Sequence, residues 1–557
     1  MIKLNKNIYV LLIVVFLLAY ICTLPIDLID IDTAQFGEVT REMIRNNDFL
    51  HLKDNGKKFL DKPILTFWTI SIFFKLFGIS NITYRIPAIL MLCISIWGIY
   101  KLSILKFNNK EIALLSALIY LSIPGTYTFV LNPSIDIYLN TYLILIHLFY
   151  YYGFKKNRNY FYLMYLFMGM GLITKGPISL VIPCISIGGD ILFRRDWKRI
   201  LDMRIIPGIL ITSILPLFWS YILYQDFGDF GPYFYLYQQS FGRFYMKRYN
   251  QGWNPLYFSL TFSWMFLPFI ILLVQYVVTI FRFNKAEFRL VNINKNYISN
   301  KLKNSKSGDY VIEFWLFLYL LLISFSNYRM PQYSFWNIPS AVIFIAPYLY
   351  SIIENNTINR NTILLFIPSF LSVLFIILIP IFIVNLSLTY IIILFIFVFL
   401  FIILIRYKKY IVSMIFLPLG CTFIMTSIII YPELVEFQPS SKLGTTIKNM
   451  EPDKESILSF GIPRSKRSYE FYSDRLMVFE LSTQNLEKLI LKDKQRLALT
   501  TDEFLFVLPT ILGENLNFKI IESYPVYKIA TPKIDFFSKY KRNKIKNRVF
   551  LIQLHCK

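Results

Sequence analysis

Long apolar runs separated by short clusters of charge dominate the chain. The first extends from Ile8 to about Pro25, behind Lys3 and Lys6. Others lie near 84–104, 111–130, 135–154, 160–174, 177–193, 205–224, 256–281, 310–326, 335–353, 362–384, 386–405 and 410–430. A helix needs roughly 20 apolar residues to cross a bilayer, and unbroken runs exclude the alternation of an outer-membrane barrel. The pattern predicts a polytopic α-helical membrane protein with about thirteen transmembrane helices. No small-residue cleavage site follows the first run, which reads as an uncleaved helix.

Three polar stretches interrupt this pattern. Residues 27–83 contain Thr33–Arg45, with Phe36, Val39, Met43 and Ile44 at near-helical spacing, which predicts a helix lying on the membrane surface. Ile64–Phe77 in the same stretch is apolar but short for a span. Residues 225–256 form a second polar loop. Residues 431–557 are mixed: a helix from Ser440 or Ser441 to Met450, strands at Ser456–Ile462, Arg475–Leu481 and Phe518–Ala530, and a helix near Thr483–Lys494. This predicts a membrane domain over 1–430 and a small α/β domain over 431–557.

Composition sharpens the picture. With 56% hydrophobic and 17% charged residues in 557, a soluble enzyme is excluded. The net charge of +24 would suggest nucleic acid in a soluble protein, but here it follows the positive-inside rule. Lys106 and Lys110, Lys155 to Arg158, Arg194 to Arg199, Arg282 to Lys306, and Arg406 to Lys409 all fall in alternate loops. This places the N-terminus in the cytoplasm, and the 27–83 loop and C-terminal domain on the opposite side of the membrane. The basic run Lys539 to Arg548 reads as a solvated tail, or as an attractor for anionic lipid. Five cysteines and three histidines show no metal or disulfide spacing. A divalent metal is compatible with these residues but not indicated by them.

The outer turns carry isolated charges. Asp32 stands where the chain leaves the first helix. Asp61-Lys62-Pro63 precedes the short apolar stretch, and Pro63 biases Lys62 away from helix. Asp136 opens the fourth run, Lys175 sits in Thr174-Lys175-Gly176-Pro177, Arg243 lies in the second loop, and Arg329 and Tyr333 share one turn. Each has an ordinary reading: solvated acid, helix-capping acid or snorkelling lysine. Together they would ring one cavity at the outer leaflet. Lys62, Lys175, Arg243 and Arg329 suit a phosphate that leaves with added negative charge. Asp32 and Asp136 suit a polar acceptor or a sugar ring with positive charge. No Gly-rich nucleotide motif is present.

These residues resemble those of the lipid A aminoarabinose transferases and the wider protein O-mannosyltransferase-like enzymes. The matching segments are Asp32-Thr33-Ala34-Gln35-Phe36-Gly37-Glu38 with Arg41-Glu42-Met43, Asp61-Lys62-Pro63, Asp136, Leu172 to Pro177, Arg243-Phe244, and Tyr328 to Tyr333. They cover roughly the first 340 residues. The resemblance implies the GT-C membrane glycosyltransferase fold and transfer of a sugar from undecaprenyl phosphate to a lipid A phosphate. It implies Asp32 and Asp136 as catalytic residues, with Glu38, Asp61 and Tyr333 in support of the phosphate-binding cations. Thr33 stands where the family has the second acid of an Asp-Glu pair, Asp61 and Arg329 replace Glu and Lys, and Gly252 to Pro255 lie where the family has a His. Aminoarabinose, galactosamine and a neutral hexose all remain open as the sugar. The acceptor alternatives are a protein hydroxyl or another envelope glycan, and secondary transport is the reading from another class.

Overall fold

The computed structural model describes residues 6–242, 254–282, 309–354, 411–479, 495–513, 515–529 and 547–556. It adds scattered positions within 370–399, 486–490 and 536–545. The helices follow the apolar runs: α1 (Lys6–Ile21), α2 (Asp32–Arg45), α3 (Leu65–Phe77), α4 (Asn81–Phe107), α5 (Lys110–Ser122), α6 (Pro124–Leu131), α7 (Ile135–Lys155) and α8 (Tyr160–Lys175). Among the described residues, Asn81–Phe107, Ile205–Phe227 and Val412–Val435 are each long and apolar enough to cross a membrane.

Two predicted spans are broken. The run 111–130 becomes α5 and α6, bent by 55°, and the run 256–281 becomes Tyr257–Met265 and Ile270–Ile280, bent by 116°. Pro124 explains the first bend. It has no N–H for the helical ladder and it drives Ile123 to an extended backbone, with ψ at 130°. Pro268 lies in the turn between the second pair and likewise has no N–H for a helical ladder. Ile8–Ile21, Val311–Ser324 and Ile338–Glu354 are shorter apolar helices, and the runs 362–384 and 386–405 fall largely outside the described residues. The count of thirteen therefore stands as an expectation from the sequence.

Close helix approach depends on small residues. At Gly98 of α4, a Cβ would lie 2.7 Å from Ile144 of α7. The turn after α1 is held by Arg85, which is fully buried in the first turn of α4. Its guanidinium donates to the carbonyls of Leu131 (3.0 Å), Asp27 (3.1 Å), Leu24 (3.4 Å) and Ile26. A fork of five N–H donors suits this role.

The helix at 33–45 exists, but it does not lie open on a membrane surface. It is enclosed between α3 and the helix Ser468–Ser473 of the C-terminal domain. Phe36 meets Phe67 edge to face at 5.7 Å, and a Cβ at Gly37 would lie 3.1 Å from Phe471. The acids ahead of it are not solvated either. Asp30 is buried and accepts from Ser468 N and Oγ at 3.0 and 2.7 Å, and Asp27 accepts from Asn81 at 2.9 Å.

The last membrane helix runs on to Val435, a few residues past the predicted boundary. The C-terminal domain follows with the helix Ser440–Met450 and a five-stranded mixed sheet. Its strands are β3 (Ser456–Phe460), β4 (Leu476–Val478), β5 (Gln495–Thr501), β6 (Leu516–Pro525) and β7 (Arg548–Cys556), in the order β4-β3-β5-β7-β6. The earlier pair β1 (Lys53–Asp54) and β2 (Lys57–Lys58) is a small hairpin in the 27–83 segment. Of the helix expected at 483–494, Leu486 and Ile490 are described, and both are buried in the core on one face of the sheet.

The basic run at 539–548 is not a free tail. Arg542 is buried beside Glu433 at 3.5 Å, and Arg548 opens β7. β7 pairs along its length with both β5 and β6. Truncation after Phe537 removes this inner strand, so limited proteolysis should digest residues 436–537 rapidly in the shortened protein. A protease-resistant domain surviving the truncation would show that β7 is dispensable.

Candidate active site

Six chain segments converge at the end of the bundle that carries the C-terminal domain. α7 starts with Ser134 as its N-cap, accepting from Asp136 N at 3.3 Å. The Ser134 hydroxyl in turn donates to Asp136 Oδ2 at 2.9 Å. Oδ1 accepts from Lys175 Nζ at 2.5 Å and from Trp336 Nε1 at 3.1 Å. Lys175 is the last residue of α8, and Gly176 turns the chain there with φ at +92°, a conformation that excludes most side chains. The same ammonium lies 4.9 Å from the Trp336 ring centre, a cation–π distance.

Lys62 approaches from just before α3. Its Nζ pairs with Asp61 Oδ2 at 2.5 Å, while Gln239 Nε2 donates to Asp61 Oδ1 at 2.8 Å and to the Asp61 carbonyl at 2.6 Å. Asp32 heads α2. Its carboxylate feels Lys62, Lys175, Asp136 and Asp61, and among the described residues it accepts no side-chain hydrogen bond. Protein atoms crowd it densely, yet more than a third of its surface is open to the site. That crowding raises its carboxyl above the usual range, opposed by Lys62 and then reinforced by Asp136.

A groove opens beside this cluster, with about 610 Å³ of unfilled space and Lys175, Ile178, Gln239, Tyr319, Tyr333 and Trp336 on its walls. The Tyr333 and Trp336 rings lie 5.1 Å apart, and Tyr319 donates to the Tyr333 carbonyl at 3.0 Å. A larger cavity, with about 1000 Å³ of unfilled space, lies among Pro25, Ile26, Ile428, Pro432, Glu436 and Pro439. It touches none of the clustered charges, so its size does not make it the reacting site.

Asp32, Asp61, Lys62, Asp136 and Lys175 therefore form one cluster, as the sequence suggested, and Tyr333 lines the groove. Arg329 stacks on Tyr257, 5.5 Å from its ring centre. Arg243 lies outside the described residues. Glu38 is the exception. It is completely buried and clamped by Arg41 at 2.6 and 2.8 Å, facing the C-terminal domain rather than the groove. Its place in the helix explains this, since six residues after Asp32 put it on a different side of α2. Trp336, Gln239 and Ser134 were not anticipated. Trp336 stands one helical turn after Tyr333, an interval that gave a signal; Gln239 lies in an otherwise featureless loop. Among the described residues no three His, Cys, Asp or Glu side chains gather as a metal site.

Residues 61–224 match the model of the dolichyl-phosphate-mannose-protein mannosyltransferase family. The undecaprenyl phosphate-alpha-4-amino-4-deoxy-L-arabinose arabinosyl transferase of Yersinia enterocolitica is 31% identical over 212 residues, 37% of this chain and 38% of that protein. That of Yersinia pestis is 29% identical over 217 residues. The match thus spans well under half the length of these relatives. The crystal structure of ArnT from Cupriavidus metallidurans bound to undecaprenyl phosphate superposes with a TM-score of 0.72 over 98% of both chains, at 15% identity. Its apo form gives 0.69. The chain has the GT-C fold of these structures. Its resemblance to the aminoarabinose transferases, read first from short motifs, extends in fold through the C-terminal sheet domain.

The Asp136–Lys175 pair generates a stability prediction. Both side chains are at most 9% exposed, so Asp136→Asn removes the carboxylate that pairs with a buried ammonium. This should cost about 3–5 kcal/mol, and Asp136→Leu with Lys175→Met should cost less than either single change. Thermal unfolding in detergent as a double-mutant cycle measures both. Additive single losses would mean that the two groups do not depend on each other.

Proposed function

We propose that the protein is a glycosyltransferase that moves a sugar from a polyprenyl (undecaprenyl) phosphate carrier to a phosphate of lipid A, at the periplasmic face of the bacterial inner membrane. One observation carries the reading: Lys62 and Lys175 flank Asp32 beside an aromatic-walled groove of largely apolar lining. Such a groove suits an isoprenoid tail, and the two cations suit the phosphate at its head. The 31% identity to an arabinosyl transferase and the fold shared with a protein solved on undecaprenyl phosphate support it.

In this reading an oxygen of the acceptor phosphate attacks the sugar's anomeric carbon. The bond from that carbon to the carrier phosphate breaks, and its electron pair leaves on the carrier. The carrier thereby passes from a diester to a more negative monoester. Lys62 and Lys175 stabilise that growing charge. Asp32 orients the acceptor or supports positive charge on the sugar ring. A phosphate acceptor is already a nucleophile at neutral pH and needs no strong base. A second reading, transfer to a protein hydroxyl, is favoured by the match of residues 61–224 to the mannosyltransferase model. There the raised carboxyl of Asp32 would take the hydroxyl's proton. Incubation of purified protein with a labelled donor and either lipid A or hydroxyl peptides separates the two by which acceptor gains mass.

Lys62→Ala should lower kcat for donor cleavage by at least tenfold, since a charge-assisted contact is worth about 1.5–3 kcal/mol and more in the transition state. Its thermal unfolding should stay within a few degrees of wild type. Near-normal turnover would make Lys62 an interfacial anchor. With lipid A as acceptor, Asp32→Asn should slow transfer less than it would with a hydroxyl acceptor, because no proton has to be taken. Complete loss with lipid A would contradict the orienting role. A tag at the C-terminus should react with membrane-impermeant reagents in intact spheroplasts; a tag reached only after lysis would reverse the orientation.

A further inference from the structure

The C-terminal domain touches the chain on both sides of Asp32, at Asp30 and along α2. We propose that the helix Ser468–Ser473 positions Asp32 by clamping α2 at its entry and along its side, so that Ser468 and Glu470 are positioning residues of the transfer reaction. This rests on the reading of Asp32 as a residue of the reacting centre.

Three sets of contacts carry it. At the entry, Ser468 donates through its backbone N–H and its hydroxyl to Asp30, two residues ahead of Asp32. Gln438 adds a hydrogen bond to Asp30 N at 3.0 Å and one to the Leu28 carbonyl at 2.8 Å. Along the side, Gly37 of α2 packs so closely that an added Cβ would press on Phe471 at 3.1 Å and on Leu28 at 3.0 Å. Beyond it lies a buried charge cluster. Arg41 of α2 holds Glu38 with two N–H groups and reaches Asp474, just past the clamping helix. Glu470 accepts from Arg467 at 2.9 Å and from Met477 N of β4 at 3.0 Å. Arg467 also pairs with Asp54 of β1 at 2.7 Å, and Gln35 of α2 donates to the same Asp54 at 2.7 Å. Glu42 of α2 accepts from Asn55 and Gly56 and so holds the hairpin rather than the domain. The domain thus holds the chain at the entry to α2 through Asp30 and along the side of α2 through Arg41, while the hairpin holds α2 through Gln35 and Glu42.

The cluster has more carboxylates than cations. Glu38, Glu470, Asp54 and Asp474 face Arg41 and Arg467. Burial, with repulsion from Glu38, pushes the Glu470 carboxyl up to about 8, and burial pushes Asp30 up to about 6 despite Ser468. Undocking would return both to ordinary carboxyl values near 4. The sign follows: the docked state binds more protons, so docking weakens as pH rises from that ordinary range and levels off above about 8. Between pH 6.5 and 8 the change belongs to the Glu38–Glu470 pair, because Asp30 has already ionised.

The test uses the full chain in lipid nanodiscs, with hydrogen exchange of residues 32–45 measured from pH 6 to 9 and donor turnover measured on the same samples. Exchange is corrected for intrinsic rates. Wild-type protection of α2 should fall by up to about tenfold per pH unit below pH 8 and then flatten. In Glu470→Gln, which resembles the protonated acid, the slope between pH 6.5 and 8 should vanish, and kcat should lose the same pH dependence while donor KM stays constant. Ser468→Ala should lower protection at every pH with the wild-type slope retained. A wild-type slope that persists in Glu470→Gln overturns the proposal, as does kcat that stays constant while α2 protection falls. If protection behaves as described but no donor is cleaved by any form, the clamp stands and the transfer reading fails.

Discussion

The site depends on a single buried ion pair, Asp136 with Lys175. An ammonium and a carboxylate this far from water each require the other, and at 2.5 Å their attraction is strengthened by the surrounding low dielectric. The pair joins the first turn of α7 to the last residue of α8 and fixes the tight turn at Gly176. Trp336 joins from a third segment by donating to the same carboxylate oxygen, and its ring forms part of the groove wall. With Lys175 fixed, the groove has a cation at its mouth. Asp61 and Gln239 hold Lys62 opposite, and Asp32 stands between the two lysines without a hydrogen-bonding partner of its own among the described residues.

The C-terminal domain is part of this arrangement rather than an appendage. One face of its sheet packs on the helices Ser440–Met450 and Ser468–Ser473, and through them on α2 and the turn after α1. Tyr472 donates to Asn81 at 2.6 Å and accepts from Leu28 N at 2.6 Å, adding a link between the domain and the start of α4. A sequence segment more than 400 residues from Asp32 thus packs against the helix that Asp32 heads, as the separation of 438 residues between Asp30 and Ser468 illustrates.

Much of this was legible before any coordinates. Apolar runs located the helices because burial in lipid demands them, and the amphipathic spacing at 33–45 located α2. Lone charges at outer turns located the cluster because an isolated ion near a bilayer needs a partner or a ligand. What was not legible was long-range. Periodicity showed that α2 had an apolar face but not that a distant domain would cover the rest, and it left Glu38 looking like a site residue. The kinks at Pro124 and Pro268 were visible as prolines but were overridden by hydropathy. β5 and β7 escaped notice because both carry charges at their ends and β7 follows a basic run that reads as tail. Gln239 acquires meaning only through its contact with Asp61.

The central claim is that the carrier's phosphate lies between Lys62 and Lys175 with its tail in the adjacent groove. A polyprenyl phosphate carrying a photoreactive diazirine on its first isoprene unit, irradiated on the reconstituted protein and mapped by peptide mass spectrometry, tests it most directly. The account predicts cross-links to Ile178, Tyr319 or Tyr333, competed by unlabelled undecaprenyl phosphate and lost in Lys62→Ala. Cross-links concentrated instead on Pro25, Ile428 or Pro439, in the larger cavity, would contradict it.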